Sequence, residues 1–269
     1  MRFFNPGLAR WLGVGVWMLL AACASDLSAP SASAPSATRL DEPEARKRAR
    51  LRLELAAAYF QQAQTAVALD EVEKSLLADS NYGPAYDLRG LILMRLNDLP
   101  AAQDNFLQAL RLMPNAPGVL HNLAWLQCQQ SRFAESFALF QQVLATPQYT
   151  EQAKTHLTLA LCQIKASLVH EAEQSLTKSY ALAPDNPVTT YQLALLLFNQ
   201  GEAERARFYA RRLNNSPAAN AESLALGMQI ERALGHPELA LQLAQQLQKR
   251  FPQSQSREAA ANSEGVLHE

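Results

Sequence analysis

The side chains with the most reactive chemistry are three cysteines and five histidines. His121, His156, His170, His236 and His268 are scattered along the chain, without the spacing that gathers ligands around a metal. No serine or cysteine stands in the sharp strand-to-helix context that exposes a nucleophile. Gly13 and Gly15 fall within an apolar run, which is not the setting of a phosphate loop. The expectation is therefore a non-enzymatic protein, with no catalytic residue, metal, cofactor or small-molecule substrate. Cys23 differs, because it follows Leu20-Ala21-Ala22 at the end of a short apolar stretch, where a thiol can carry covalently attached lipid. Cys128 and Cys162 lie within helical patterning and read as small apolar packers. They can pair only if their Cα atoms come within about 7 Å.

The segment that positions Cys23 begins with Arg2 and Arg10 and continues through ten apolar residues, 11–20. Ten residues suit the core of a signal peptide and are short for a bilayer span. The sequence Leu20-Ala21-Ala22-Cys23 resembles the bacterial lipobox, which implies a signal peptide over residues 1–22 and acylated Cys23 as the mature N-terminus. That resemblance, with Ala24 rather than aspartate next, implies sorting to the outer membrane, on its periplasmic face. Residues 24–38 are rich in Ser, Ala and Pro, a composition that buries too little surface to order itself. Residues 23–44 therefore read as the lipidated cysteine and a flexible tether. Arg46, Lys47, Arg48, Arg50 and Arg52 follow the acidic Asp41, Glu42 and Glu44 and read as a solvated helix face rather than a lipid-headgroup contact.

Beyond the tether the chain repeats. Residues 84–95 and 100–112 have helical patterning, with Asn97-Asp98 as the turn and Pro114 as a stop. The small residue that opens the second helix recurs as Ala68, Ala102, Ser136, Ala172, Ala206 and Ala240, at spacings of 34, 34, 36, 34 and 34. Gly90 has small counterparts in Ala56, Ala124, Ala160 and Ala194, while Met228 departs and Gly227 comes one residue early. The preceding place holds Leu55, Leu123, Leu159 and Leu193 but Arg89 in the second unit. The bulky place of Phe106 reads Val72, Phe140, Leu176, Ala210 and Ala244 elsewhere. This period and small/large pattern resemble tetratricopeptide repeats. The expected fold is all-α, an α-α superhelix of six repeats over residues 45–253, followed by a polar tail at 254–269. The net charge of −1 gives no electrostatic case for nucleic acid.

In tetratricopeptide arrays the first helix of each repeat lines the concave face. With Ala102 at place 20, place 5 of repeats one to five holds Leu53, Asp87, His121, Leu157 and Tyr191. Place 9 holds Ala57, Leu91, Trp125, Leu161 and Leu195, and place 12 holds Phe60, Met94, Cys128, Ile164 and Phe198. These form a mostly apolar stripe at helical spacing. The stripe is either a partner-binding groove or a core shared by neighbouring repeats. The groove reading takes as its site Leu53, Ala57, Phe60, Leu91, Met94, His121, Trp125, Leu157, Leu161, Ile164, Tyr191, Leu195 and Phe198. Trp125 is its anchor, because Trp is enriched at binding hot spots. Places comparable to the carboxylate clamps of some tetratricopeptide co-chaperones hold Leu53, Ala57, Leu88, Gly118 and Asn122, none of them cationic. An amphipathic helix or apolar tail fits such a groove better.

A lipobox, a tether and six repeats resemble, taken together, the type IV pilus biogenesis and stability lipoproteins, the PilF/PilW family. The stretches that carry the resemblance are HNLAWLQCQQSRFAESF at 121–137, AESLALGMQIERALGH at 221–236 and QLQKRFPQS at 246–254. It implies a pilotin that binds the outer-membrane secretin subunit and promotes its localisation and multimerisation for pilus biogenesis and twitching motility. A lipoprotein scaffold for another envelope assembly, β-barrel insertion or cell-wall synthesis, remains the alternative.

Overall fold

The computed structural model describes residues 42–252, and every regular element there is an α-helix. In order these are α1 (Glu44–Gln61), α2 (Thr65–Ala78), α3 (Gly83–Arg95), α4 (Leu99–Leu112), α5 (Pro117–Gln129), α6 (Phe133–Leu144), α7 (Gln152–Lys165), α8 (Val169–Leu182), α9 (Pro187–Asn199), α10 (Ala203–Asn214), α11 (Ala221–Ala233) and α12 (Pro237–Arg250). Consecutive pairs form six antiparallel hairpins stacked as an α-α superhelix of tetratricopeptide repeats. Among the described residues no helix is long and apolar enough to cross a membrane. The expectations for residues 1–22, for Cys23, for most of the tether and for the tail at 254–269 lie outside the described residues.

Each hairpin turns in the same way. Place 15 of every repeat is left-handed: Ala63, Asn97, Ser131 and Ser167 at φ of 60 to 63°, Gly201 at 82° and Gly235 at 76°. The next amide reaches back to close the helix, as in Asp98 N–H to Leu93 O at 2.9 Å and Glu202 N–H to Leu197 O at 2.9 Å. That is the Schellman arrangement, which satisfies carbonyls left open at a helix end. Asn97 and the two glycines adopt this conformation readily, whereas at Ala63, Ser131 and Ser167 it costs about 1 kcal/mol each.

The small/large pattern becomes packing inside each hairpin. A Cβ added to Gly90 would lie 2.5 Å from the Phe106 ring, so only glycine lets α3 and α4 close around that phenylalanine. Phe106 and Phe140 are fully buried, the latter beside Ala124. Leu176 fills the equivalent space beside Ala160. Each such side chain contributes roughly 2–3 kcal/mol through burial. Two further devices are polar. Ser75 Oγ donates to Ala49 O at 2.7 Å, and Ser179 Oγ donates to Ala153 O at 2.8 Å, the same bond in repeats one and four.

Between repeats, place 28 of one faces place 7 of the next. Leu110 and Leu123 share a packed cluster, as do Leu144 with Leu159 and Tyr180 with Leu193. Two junctions depart from this. Arg89 replaces leucine in repeat two, where its Nε is buried without a hydrogen bond. Even so repeat two closes, with Ala85, Ile92, Ala102 and Phe106 all fully buried. At the last junction Asn214 meets Gly227.

Candidate partner-binding groove

Helices α1, α3, α5, α7 and α9 present the apolar stripe. Twelve of its thirteen residues are half-buried: Leu53, Ala57, Phe60, Leu91, Met94, Trp125, Leu157, Leu161, Ile164, Tyr191, Leu195 and Phe198. Most of them lean on the core with one side. Leu53 and Phe60 pack against the cluster around Val72, Leu91 and Met94 against that around Phe106, and Trp125 against that around Phe140. Leu157, Ile164, Tyr191, Leu195 and Phe198 pack against the cluster around Leu193. The stripe is thus the open edge of the inter-repeat core, and the two alternatives drawn from the sequence describe two sides of the same residues.

The open side deepens where the first three repeats meet. Phe60, Leu91, Met94 and Trp125 line a depression of about 900 Å³ including its open mouth, with Arg95, Leu99 and Gln129 at its rim. Its charge is already engaged. The Arg95 guanidinium lies 3.8 Å over the Phe60 ring and donates to Phe60 O at 2.8 Å, capping the C-terminus of α1. Lys165 caps the end of α5 in the same manner, donating to Cys128 O at 3.3 Å and Gln129 O at 3.0 Å.

Two places differ from the sequence reading. His121 is 5 % exposed and lies within the packing rather than on the open face. Its Nδ1 is 2.9 Å from Thr155 Oγ1, which is 3.1 Å from the Tyr149 hydroxyl, and its ring meets Phe140 edge-on. Loss of hydration lowers its pKa to about 4, with Lys154 acting in the same direction and Glu151 against it. The second place is Cys128. Instead of serving as independent packers, Cys128 and Cys162 form a disulfide with Cα atoms 5.9 Å apart, linking α5 to α7. Their separation of 34 residues is two short of the local spacing of 36, which puts them at places 12 and 10 of adjacent repeats, so the sequence does hold a signal that they lie close.

Asp87, at place 5 of repeat two, accepts a hydrogen bond from Asn122 Nδ2 at 2.9 Å. Burial raises its pKa, opposed by that bond and by Lys154. The basic cluster on α1 is largely paired: Arg50 with Glu42 and Glu54, Arg52 with Glu71, Arg46 with Asp79.

Comparison with known proteins adds family context. No family model matches the chain. It is 22% identical over 202 residues to the type IV pilus assembly protein PilF of Pseudomonas aeruginosa, covering 75% of this chain and 80% of that protein. An uncharacterised Haemophilus influenzae protein is 27% identical over 130 residues, 48% of this chain and 73% of its own length. Among solved structures, P. aeruginosa PilF superposes with a TM-score of 0.68 at 21% identity, over 78% of this chain and 94% of that one. PilW, described as a widely conserved type IV pilus biogenesis factor, does so with a TM-score of 0.68 at 29% identity, over 76% and 94%. In repeat architecture and in sequence, this chain resembles the type IV pilus biogenesis proteins PilF and PilW.

Proposed function

We propose that this protein is a non-enzymatic pilotin: an outer-membrane lipoprotein held by acylated Cys23, whose concave groove binds the type IV pilus secretin subunit and promotes its localisation and multimerisation. The observation that carries the proposal is the apolar depression of Phe60, Leu91, Met94 and Trp125, continuous across three repeats and half-open to solvent. Clustered apolar surface of this kind marks interaction sites. The likeness to PilF and PilW supplies the pilus context, and the lipobox-like Leu20-Ala21-Ala22-Cys23 supplies the anchor. Several acyl chains on one cysteine hold far more firmly than one, at about 0.8 kcal/mol per buried CH₂.

The test is Trp125→Ala, with secretin binding and thermal melting measured on the same protein. Loss of a hot spot weakens binding by about 2–4 kcal/mol, roughly 30- to 1,000-fold. Weakened binding with a near-unchanged melt supports the groove. Intact binding at Trp125→Ala, Leu161→Ala and Phe198→Ala would end it. Mass spectrometry of the mature N-terminus tests the anchor, and an unmodified Cys23 would refute it.

A further inference from the structure

The stripe at places 5, 9 and 12 carries one formal charge, while the cations beside it, Arg95 and Lys165, are engaged in capping helix ends. Among the fifteen residues at places 5, 9 and 12 of repeats one to five, Asp87 is the only Asp, Glu, Lys or Arg. It lies on α3, four residues before Leu91 and seven before Met94, on the same helix face as both. Asp87 is half-buried, and no cationic side chain is paired with it among the described residues. Its one hydrogen bond comes from the neutral amide of Asn122 at 2.9 Å. Lys154, which acts on it from a distance, is tied to Glu151 at 2.9 Å.

That hydrogen bond does not require a charge. An asparagine at 87 would also accept from Asn122, more weakly, and would avoid the desolvation of a carboxylate. Charges removed from water are ordinarily paired, and this one is not paired within its own chain. The next residues along that face of α3 are Leu91 and Met94 of the depression, so an incoming segment that covers them and runs on along α3 closes water away from Asp87. We propose that Asp87 receives a lysine or arginine of the segment bound in the groove, about one helical turn, roughly 6 Å, from the apolar side chain seated against Leu91, Met94 and Trp125. This rests on the groove reading and adds to it the chemistry of the partner: a cation beside a large apolar residue. The paired carboxylate acts in register and discrimination, since an acidic segment meets repulsion there.

The experiment uses the full chain in detergent, with the purified secretin subunit and overlapping peptides spanning it as probes. Asp87→Asn keeps an acceptor for Asn122 and removes only the charge. It is expected to weaken binding about tenfold or more, the range of a charge-assisted hydrogen bond, with an unchanged melt. Salt dependence between about 0.05 and 0.5 M should flatten in the same variant. Asp87→Lys is expected to lose more, and to recover binding to a peptide whose basic residue is replaced by aspartate. Captured peptides should carry Lys or Arg within one turn of a large apolar residue. Wild-type binding by both Asp87 variants while Trp125→Ala has lost it overturns the role of Asp87 and leaves the groove standing. Unchanged binding in Trp125→Ala, Leu161→Ala and Phe198→Ala as well overturns both. A lowered melt in Asp87→Asn with unaltered affinity assigns Asp87 to repeat packing and sinks the proposal.

Discussion

The junction between repeats three and four and that between repeats five and six use equivalent places for opposite ends. At the first, the spacing lengthens to 36 residues, and the neighbouring helices are held from inside. The Cys128–Cys162 disulfide joins α5 to α7, Leu144 and Leu159 pack in one cluster, and His121 bonds Thr155. At the second, Asn214 and Gly227 stand where Leu110 meets Leu123 and Leu144 meets Leu159. A cleft of about 660 Å³ including its mouth opens between α10, α11 and α12. Leu226 and Ile230 still join the apolar cluster of Leu197 and Ala210, and the polar tie across the joint is Arg207 Nε donating to Glu231 Oε1 at 3.0 Å, with His236 Nδ1 of the same repeat 3.0 Å from Glu231 Oε2. Because each repeat touches chiefly its neighbours, every junction contributes its own share of stability. One superhelix can therefore contain a cross-linked joint and one that leaves a cleft and an unsatisfied amide.

Breaking the clamp should produce the largest change. In the loop-entropy account, closing a loop of this length stabilises by about 4 kcal/mol. Cys128→Ala with Cys162→Ala keeps two small apolar packers and removes the bond. The expected result is a fall in Tm of about 10 °C, with faster amide exchange in α5 and α7 than in α11. An unmoved Tm would mean that the disulfide is no clamp and that the contrast between the joints is false.

His121 sharpens the same contrast through pH. Its pKa is about 4 folded, against an ordinary 6.5, so the unfolded chain binds the extra proton between these values. Stability therefore rises with pH across that window, is complete above about 6.5, and is lost as pH falls towards 4. At pH 5 the loss is about 2 kcal/mol relative to pH 8. His156 shifts in the same direction, while Asp87, with its raised pKa, works oppositely at lower pH. His121→Gln should flatten the pH dependence of Tm by the share belonging to His121. A wild-type profile in that variant would show that His121 is hydrated in solution.

The repeat period and the small/large pairs were legible because they are local. The helices expected at 84–95 and 100–112 are found at Gly83–Arg95 and Leu99–Leu112. The left-handed place 15 was legible at Asn97 but not at Ala63, Ser131 or Ser167, whose side chains carry no such preference. There the helix-closing bonds and the hairpin packing impose it. Burial of His121 was not legible either, since place 5 also holds the half-buried Leu53 and Tyr191. It depends on Thr155 of the next repeat and on Tyr149 in the lengthened loop. In the groove, the stripe itself could be read from register. The way it divides its surface between core and solvent could not, because that depends on how closely adjacent repeats approach.

The smallest effect should come from filling the cleft at the joint between repeats five and six. Asn214 is 5 % exposed and its Oδ1 has no hydrogen-bond partner among the described residues. A buried acceptor left unsatisfied costs about 1–3 kcal/mol. Leucine occupies the same place as Leu76, Leu110 and Leu144, and the cleft offers room for its branches. Asn214→Leu should therefore raise stability by about 1 kcal/mol, or 2–4 °C in Tm. Gly227→Ala alone should gain less than the helix-propensity difference of about 1 kcal/mol, because the new Cβ would meet Asn214 Nδ2 at 2.5 Å and Leu243 Cδ1 at 3.2 Å. Both substitutions draw on the same space, so the double variant should fall short of the sum. A lower Tm for Asn214→Leu would mean that Asn214 is satisfied in solution, by water or by a ligand in the cleft. The joint between repeats five and six would then hold a satisfied polar contact rather than a packing defect.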